Sequence, residues 1–96
     1  MIELGGNIKL EGFDNIEQSK LVVIKKIVGN FIKKLEAENK VAIILKLSEE
    51  NSEFKIDAEL NLNEQNKISS VTEKNLFFAL NNVLTKLNLW NKAKTL

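Results

Sequence analysis

Hydrophobic and polar positions in this chain repeat every second residue at the start and every three to four from about residue 20. They return to every second residue from about 40, then to three and four from about 76. In residues 1–12, MIEL breaks at Gly5-Gly6 and resumes as NIKLEG, where Ile8 and Leu10 alternate with Lys9 and Glu11. That spacing suits one strand with a single buried face, the double glycine supplying a bulge or kink within it. Asp14 and Glu17 have the spacing of a capping box, with Ser19 as a competing N-cap. From there, steps of about 100° per residue put Leu21, Ile24, Ile27, Val28, Phe31 and Leu35 on one side of a helix. Val22, Lys26, Gly29 and Lys33 fall on the other side with Lys25 at its edge, and the polar EAEN of 36–39 ends the helix.

In KVAIILKLSEE (40–50), Val41, Ile43, Leu45 and Leu47 alternate with Ala42, Ile44, Lys46 and Ser48. In SEFKIDAELNLN (52–63), Phe54, Ile56, Ala58, Leu60 and Leu62 alternate with Lys55, Asp57, Glu59 and Asn61. Both segments are period-two strands, joined as a hairpin through the polar SEENSE of 48–53. NEQN (63–66) reads as a second turn and KISSVT (67–72) as a short further strand. Thr72 is the expected N-cap of a closing helix with Glu73 in its first turn. Leu76, Phe77, Leu80, Val83, Leu84 and Leu87 form its buried face, and Trp90 covers the end of the core. The order is β-α-β-β-β-α. The expected fold is α+β: a single antiparallel four-stranded sheet with two helices packed on one face, like a double-stranded-RNA-binding domain with an added strand. Residues 1–96 are expected to form one domain, with 90–96 a frayed C-terminal tail.

Composition narrows the function classes. The chain has neither Cys nor His, which removes disulfides, thiolate metal sites and the usual general acid–base groups. Its apolar runs fall far short of the roughly 20 residues that span a bilayer, so a cytoplasmic protein is expected. All 14 basic residues are lysine, and the abundance of Lys, Asn and Ile has the look of an AT-rich coding bias.

Charge changes the picture more, because a net charge of +1 hides a sharp division. Residues 18–35 hold Lys20, Lys25, Lys26, Lys33 and Lys34 with no acid, a local charge of +5. Residues 74–96 hold Lys74, Lys86, Lys92 and Lys94, again without an acid. Residues 47–64 carry Glu49, Glu50, Glu53, Asp57, Glu59 and Glu64 against Lys55 alone, −5 in all. With both helices on one sheet face, the molecule has a basic helical side, and its acids gather at the hairpin and the open sheet face. Such a distribution steers a polyanion onto one side. Lysines that merely solubilise one helix account equally well for that helix alone; the second acid-free helix favours a binding surface.

No catalytic constellation is present. Glu49-Glu50-Glu53 lacks the spaced oxygen ligands and glycine of an EF-hand loop and reads as a solvated hairpin. Gly5-Gly6 is followed by no GK[ST] and opens no helix, so it is not a phosphate loop. The outward sheet positions lack the aromatics of an RNA-recognition motif, and neither helix carries the GXXG of a KH domain. No enzyme activity, metal, cofactor or small-molecule substrate is expected.

TEKNLFFALNNVLTKL (72–87) resembles the final strand-to-helix junction and last helix of the ribosome hibernation promoting factor family. Thr72, Glu73, Phe77, Ala79, Leu80 and the Lys86-Leu87 pair match its pattern, while Thr85 stands where the family has an acidic residue. Residues 40–60 look like the family's long hairpin, although here it is markedly acidic and the family's arginines are absent. The resemblance implies a cytoplasmic factor seated in the mRNA and tRNA channel of the small ribosomal subunit, silencing translation in idle ribosomes. It would contact rRNA phosphates through basic helix side chains. The candidates are Lys25, Lys26, Lys33 and Lys34 on the first helix, and Lys86, Lys92 and Lys94 on the last.

Two other readings compete. A protein-interaction module acting as a homodimer would use KISSVT as a pairing edge, or an apolar patch of Phe78, Leu89 and Trp90. A lipid-surface protein is disfavoured, because the basic helix spends its apolar face on the core.

Overall fold

Gly5 and Gly6 both take positive φ, 59° and 79°, and fold the first twelve residues into a hairpin rather than one bent strand. Ile2–Leu4 (β1) pairs antiparallel with Ile8–Glu11 (β2), Ile2 opposite Leu10 and Leu4 opposite Ile8. The chain continues through Gln18–Glu36 (α1), Val41–Glu50 (β3), Glu53–Leu62 (β4), Gln65–Glu73 (β5) and Leu76–Lys94 (α2). A computed structural model describes residues 1–94, for Lys94 the backbone only.

The sheet has five strands in the order β1-β2-β3-β4-β5 and is mixed, which corrects the expected four antiparallel strands. The extra strand comes from the glycine turn. The parallel pair is β2 with β3, because α1 carries the chain back across the sheet before β3 begins. The remaining neighbours are antiparallel, and β3–β4 and β4–β5 are joined by two-residue turns. Asn51-Ser52 (φ 52° and 63°) and Asn63-Glu64 (φ 50° and 72°) hold positive φ at both central positions, the primed geometry that matches strand twist. Both turns are shorter than SEENSE and NEQN suggested, and the strands run correspondingly longer.

One face of this sheet is the core. Ile8, Ile43 and Leu60 stand side by side across three strands, as do Leu10, Leu45 and Ala58, and all are buried. Leu21, Ile24, Val28, Ile32 and Leu35 of α1 close over that face, together with Ala79, Leu80, Val83, Leu84 and Leu87 of α2. Ile27 and Phe31 are only half-buried and Ile32 takes their place in the core. Their flank of α1 faces α2, and the groove between the helices leaves it partly open. Trp90 packs partly buried against the same core.

The helix ends differ from the sequence reading. Glu17 is the N-cap of α1 and makes no side-chain cap bond, while Asp14 instead accepts from the Met1 ammonium at 3.2 Å. Asn75, not Thr72, caps α2: its Oδ1 accepts from the Phe77 and Phe78 backbone N–H groups at 2.9 and 3.1 Å. Thr72 belongs to β5. The α1 C-terminus is closed by Asn39, whose Nδ2 donates to the Leu35 carbonyl at 3.0 Å.

Candidate nucleic-acid interface

Because α1 turns its apolar stripe to the sheet, its lysines are forced outward. Lys20, Lys26, Lys33 and Lys34 are exposed, and Lys25 is half-buried at the margin of the stripe. Lys33 and Lys34 occupy the last turn, where the negative end of the helix dipole favours cations. Lys25, Gly29 and Lys33 form one row at four-residue spacing, with Lys26 beside it. A Cβ at Gly29 would meet nothing within 4 Å, so no packing inside the molecule requires glycine there. The result is a low point in the helix surface, flanked by three amines.

The other flank of α1 lines a groove shared with α2. Ile27, Phe31 and Leu84 contribute its apolar part, and Asn30, Lys34, Asn81, Thr85 and Asn88 its polar part, around a volume of about 360 Å³. Of the lysines singled out in the sequence, this groove takes in Lys34 alone. The amides of Asn30, Asn81 and Asn88 were not singled out. Their signal was present, since asparagine is a poor helix former and α2 carries Asn81, Asn82, Asn88 and Asn91.

Lys86 lies elsewhere. Its Nζ reaches the Ser70 carbonyl of β5 at 3.5 Å, on the flank of α2 turned away from α1. Lys92 is exposed near the end of α2, and the side chain of Lys94 lies outside the described residues. The seven lysines therefore do not form one cluster: Lys25, Lys26 and Lys33 share the outer row of α1, Lys34 the groove, and Lys86 the sheet edge.

The acids are divided: Glu49 shares the helical side of the sheet and lines a hollow with Lys20 and Lys74, while others lie on the open face. Asp57 and Glu59 project from the open sheet face, where Asp57 accepts from the Ser70 hydroxyl at 2.7 Å. Glu49, Glu50 and Glu53 flank the β3–β4 turn. Lys46 and Glu11 make a loose ion pair of 4.0 Å there, so the open face is mixed in sign, whereas the exposed surface of α1 is basic up to Glu36. Among the described residues, no group of three or more acids stands placed to hold a metal ion, and no helix is long and apolar enough to cross a membrane.

No protein-family model matches the chain, and no curated protein matches it in sequence. In three dimensions it is similar to the N-terminal domain of Protein Y from Thermus thermophilus, with a TM-score of 0.67 and 10% identity over 86% of this chain and 90% of that one. It is also similar to a ribosomal subunit interface protein from Coxiella burnetii, with a TM-score of 0.60 and 16% identity over 93% and 98% of the two chains. At such identities the likeness is one of fold. The fold shared with these two structures spans nearly the whole length of this chain.

Proposed function

We propose that this chain is a ribosome-associated RNA-binding factor that acts by occupying space rather than by catalysis. The observation that carries the reading is the fold shared, over nearly the whole chain, with a ribosomal subunit interface protein. The outer row of α1 supplies the contact chemistry: Lys25, Lys26 and Lys33 present amines to rRNA phosphates, and Gly29 lets the polyanion backbone come close between them. Lys34 and the inter-helix amides add hydrogen-bond donors beside that row. Asp57 and Glu59 on the open sheet face point away from α1, which helps orient the molecule as it approaches RNA. Seated in the mRNA and tRNA channel of the small subunit, the domain modulates or silences translation sterically, in the cytoplasm and without a cofactor. Capture of the tagged chain from a cell lysate tests the reading. Small-subunit rRNA is expected to come with it, and capture free of ribosomal material would refute it.

A further inference from the structure

The two edges of the sheet are unlike. β1 covers one edge with only three residues, whereas β5 ends the other with nine, paired to β4 without a bulge. Long regular edges of this kind template strand addition unless they are guarded. The two-residue turn Asn63-Glu64 makes Leu62 and Gln65 the closing hydrogen-bonded pair. Alternation then directs the odd-numbered backbone groups of β5 to β4 and leaves those of Asn66, Ile68, Ser70 and Thr72 facing outward. The position of the Lys86 Nζ at 3.5 Å from the Ser70 oxygen agrees with that phase.

We propose that two copies of this chain pair antiparallel through β5 about a two-fold axis at Ser70, joining their sheets into one of ten strands. This proposal stands apart from ribosome binding. Outward groups must face outward groups, so Ser70 meets Ser70 of the partner, and Ile68 meets Thr72. That register sets Lys67 directly opposite Glu73, once on each side of the axis, and opposite charges in such positions attract. Sliding by two residues loses both pairs. Pairing also covers Ile68, which is 70% exposed on the open face.

The helical face supplies a second contact. Asn82 reaches Glu73 at 3.1 Å and Lys86 reaches Ser70, which places that flank of α2 over the edge. Phe78 and Leu89, 63% and 60% exposed, are about three turns apart and border the same flank. Because α2 covers β4 and β5, and strands are ~4.8 Å apart, joined edges bring the two α2 helices to roughly the 8–10 Å of packed helices. Such an interface is self-complementary, as a two-fold requires.

Light scattering and sedimentation over a wide concentration range test the pairing, with circular dichroism to confirm that each variant is folded. The wild type is expected to rise from 10.9 kDa toward twice that mass. Lys67→Glu and Glu73→Lys each weaken association about tenfold by creating two like-charge pairs, and the double variant Lys67→Glu/Glu73→Lys restores it. Ser70→Pro leaves the chain folded, since that N–H faces outward, and abolishes the dimer. A wild type that stays monomeric to about 1 mM overturns the proposal. So does association that Ser70→Pro leaves intact, or that the charge swap fails to restore.

Discussion

A β-carbon on Gly12 would overlap the main-chain carbonyl of Leu47, so the end of β2 lies in direct backbone contact with β3. Gly12 also holds a φ of 80°, and Phe13, fully buried, follows it into the core. This contact fixes where the chain leaves the sheet to enter α1. Gly12→Ala is therefore expected to cost at least about 2 kcal/mol in urea denaturation, from backbone displacement added to left-handed strain. Gly6→Ala, where no atom lies within 4 Å, bears only the strain and is expected to cost about 1 kcal/mol.

Gly29 behaves oppositely. It sits in the interior of α1 with open space where a Cβ would be, so Gly29→Ala is expected to stabilise the fold by about 1 kcal/mol. The added methyl group holds a polyanion away from Lys25, Lys26 and Lys33, and ribosome affinity is expected to fall about threefold at low salt. Denaturation and binding measured on the one variant check both signs.

The cap of α2 separates two residues that look equivalent in sequence. Asn75→Ala removes the acceptor of two backbone N–H groups and is expected to cost about 1 kcal/mol. Thr72→Ala, on the exposed side of β5, is expected to stay within about 0.5 kcal/mol of wild type. Thermal or chemical denaturation distinguishes the pair.

Lys86 stands at the β5 edge rather than in the α1 row. Lys86→Ala is expected to strengthen self-association several-fold, because it frees the Ser70 carbonyl and removes two like charges near the two-fold axis. It is expected to weaken ribosome binding less than Lys33→Ala does. Light scattering and co-sedimentation on the two variants decide the point.

The α1 stripe and the β3–β4 hairpin were legible in the sequence because each carries a local period that the core then uses. Leu21, Ile24, Val28 and Leu35 are buried as expected, and Val41 to Leu45 align with Leu62 to Ala58 in register. Pairing direction was not legible. No residue near Ile8 records that its neighbour is Ile43, running parallel, since that depends on where α1 returns the chain. Ile2 and Leu4 gave too short an alternation to mark a separate strand, so Gly5-Gly6 read as a bulge. The caps failed for a similar reason: Thr72 and Asn75 are both good caps, and only the length of β5 chooses between them. At the candidate site, periodicity told which lysines face outward but not which flank of a helix meets its neighbour. The fold turns Lys34 to the groove between the helices and Lys86 to the sheet edge.

The most direct test is co-sedimentation of the full chain with purified small ribosomal subunits over rising salt, for wild type and for Lys25→Glu/Lys26→Glu/Lys33→Glu. The wild type is expected to bind with an affinity that falls steeply with salt, and the variant to lose both the binding and roughly 2–3 units of the salt slope. Failure of the wild type to sediment with the subunits, or a variant that binds unchanged, would contradict the account.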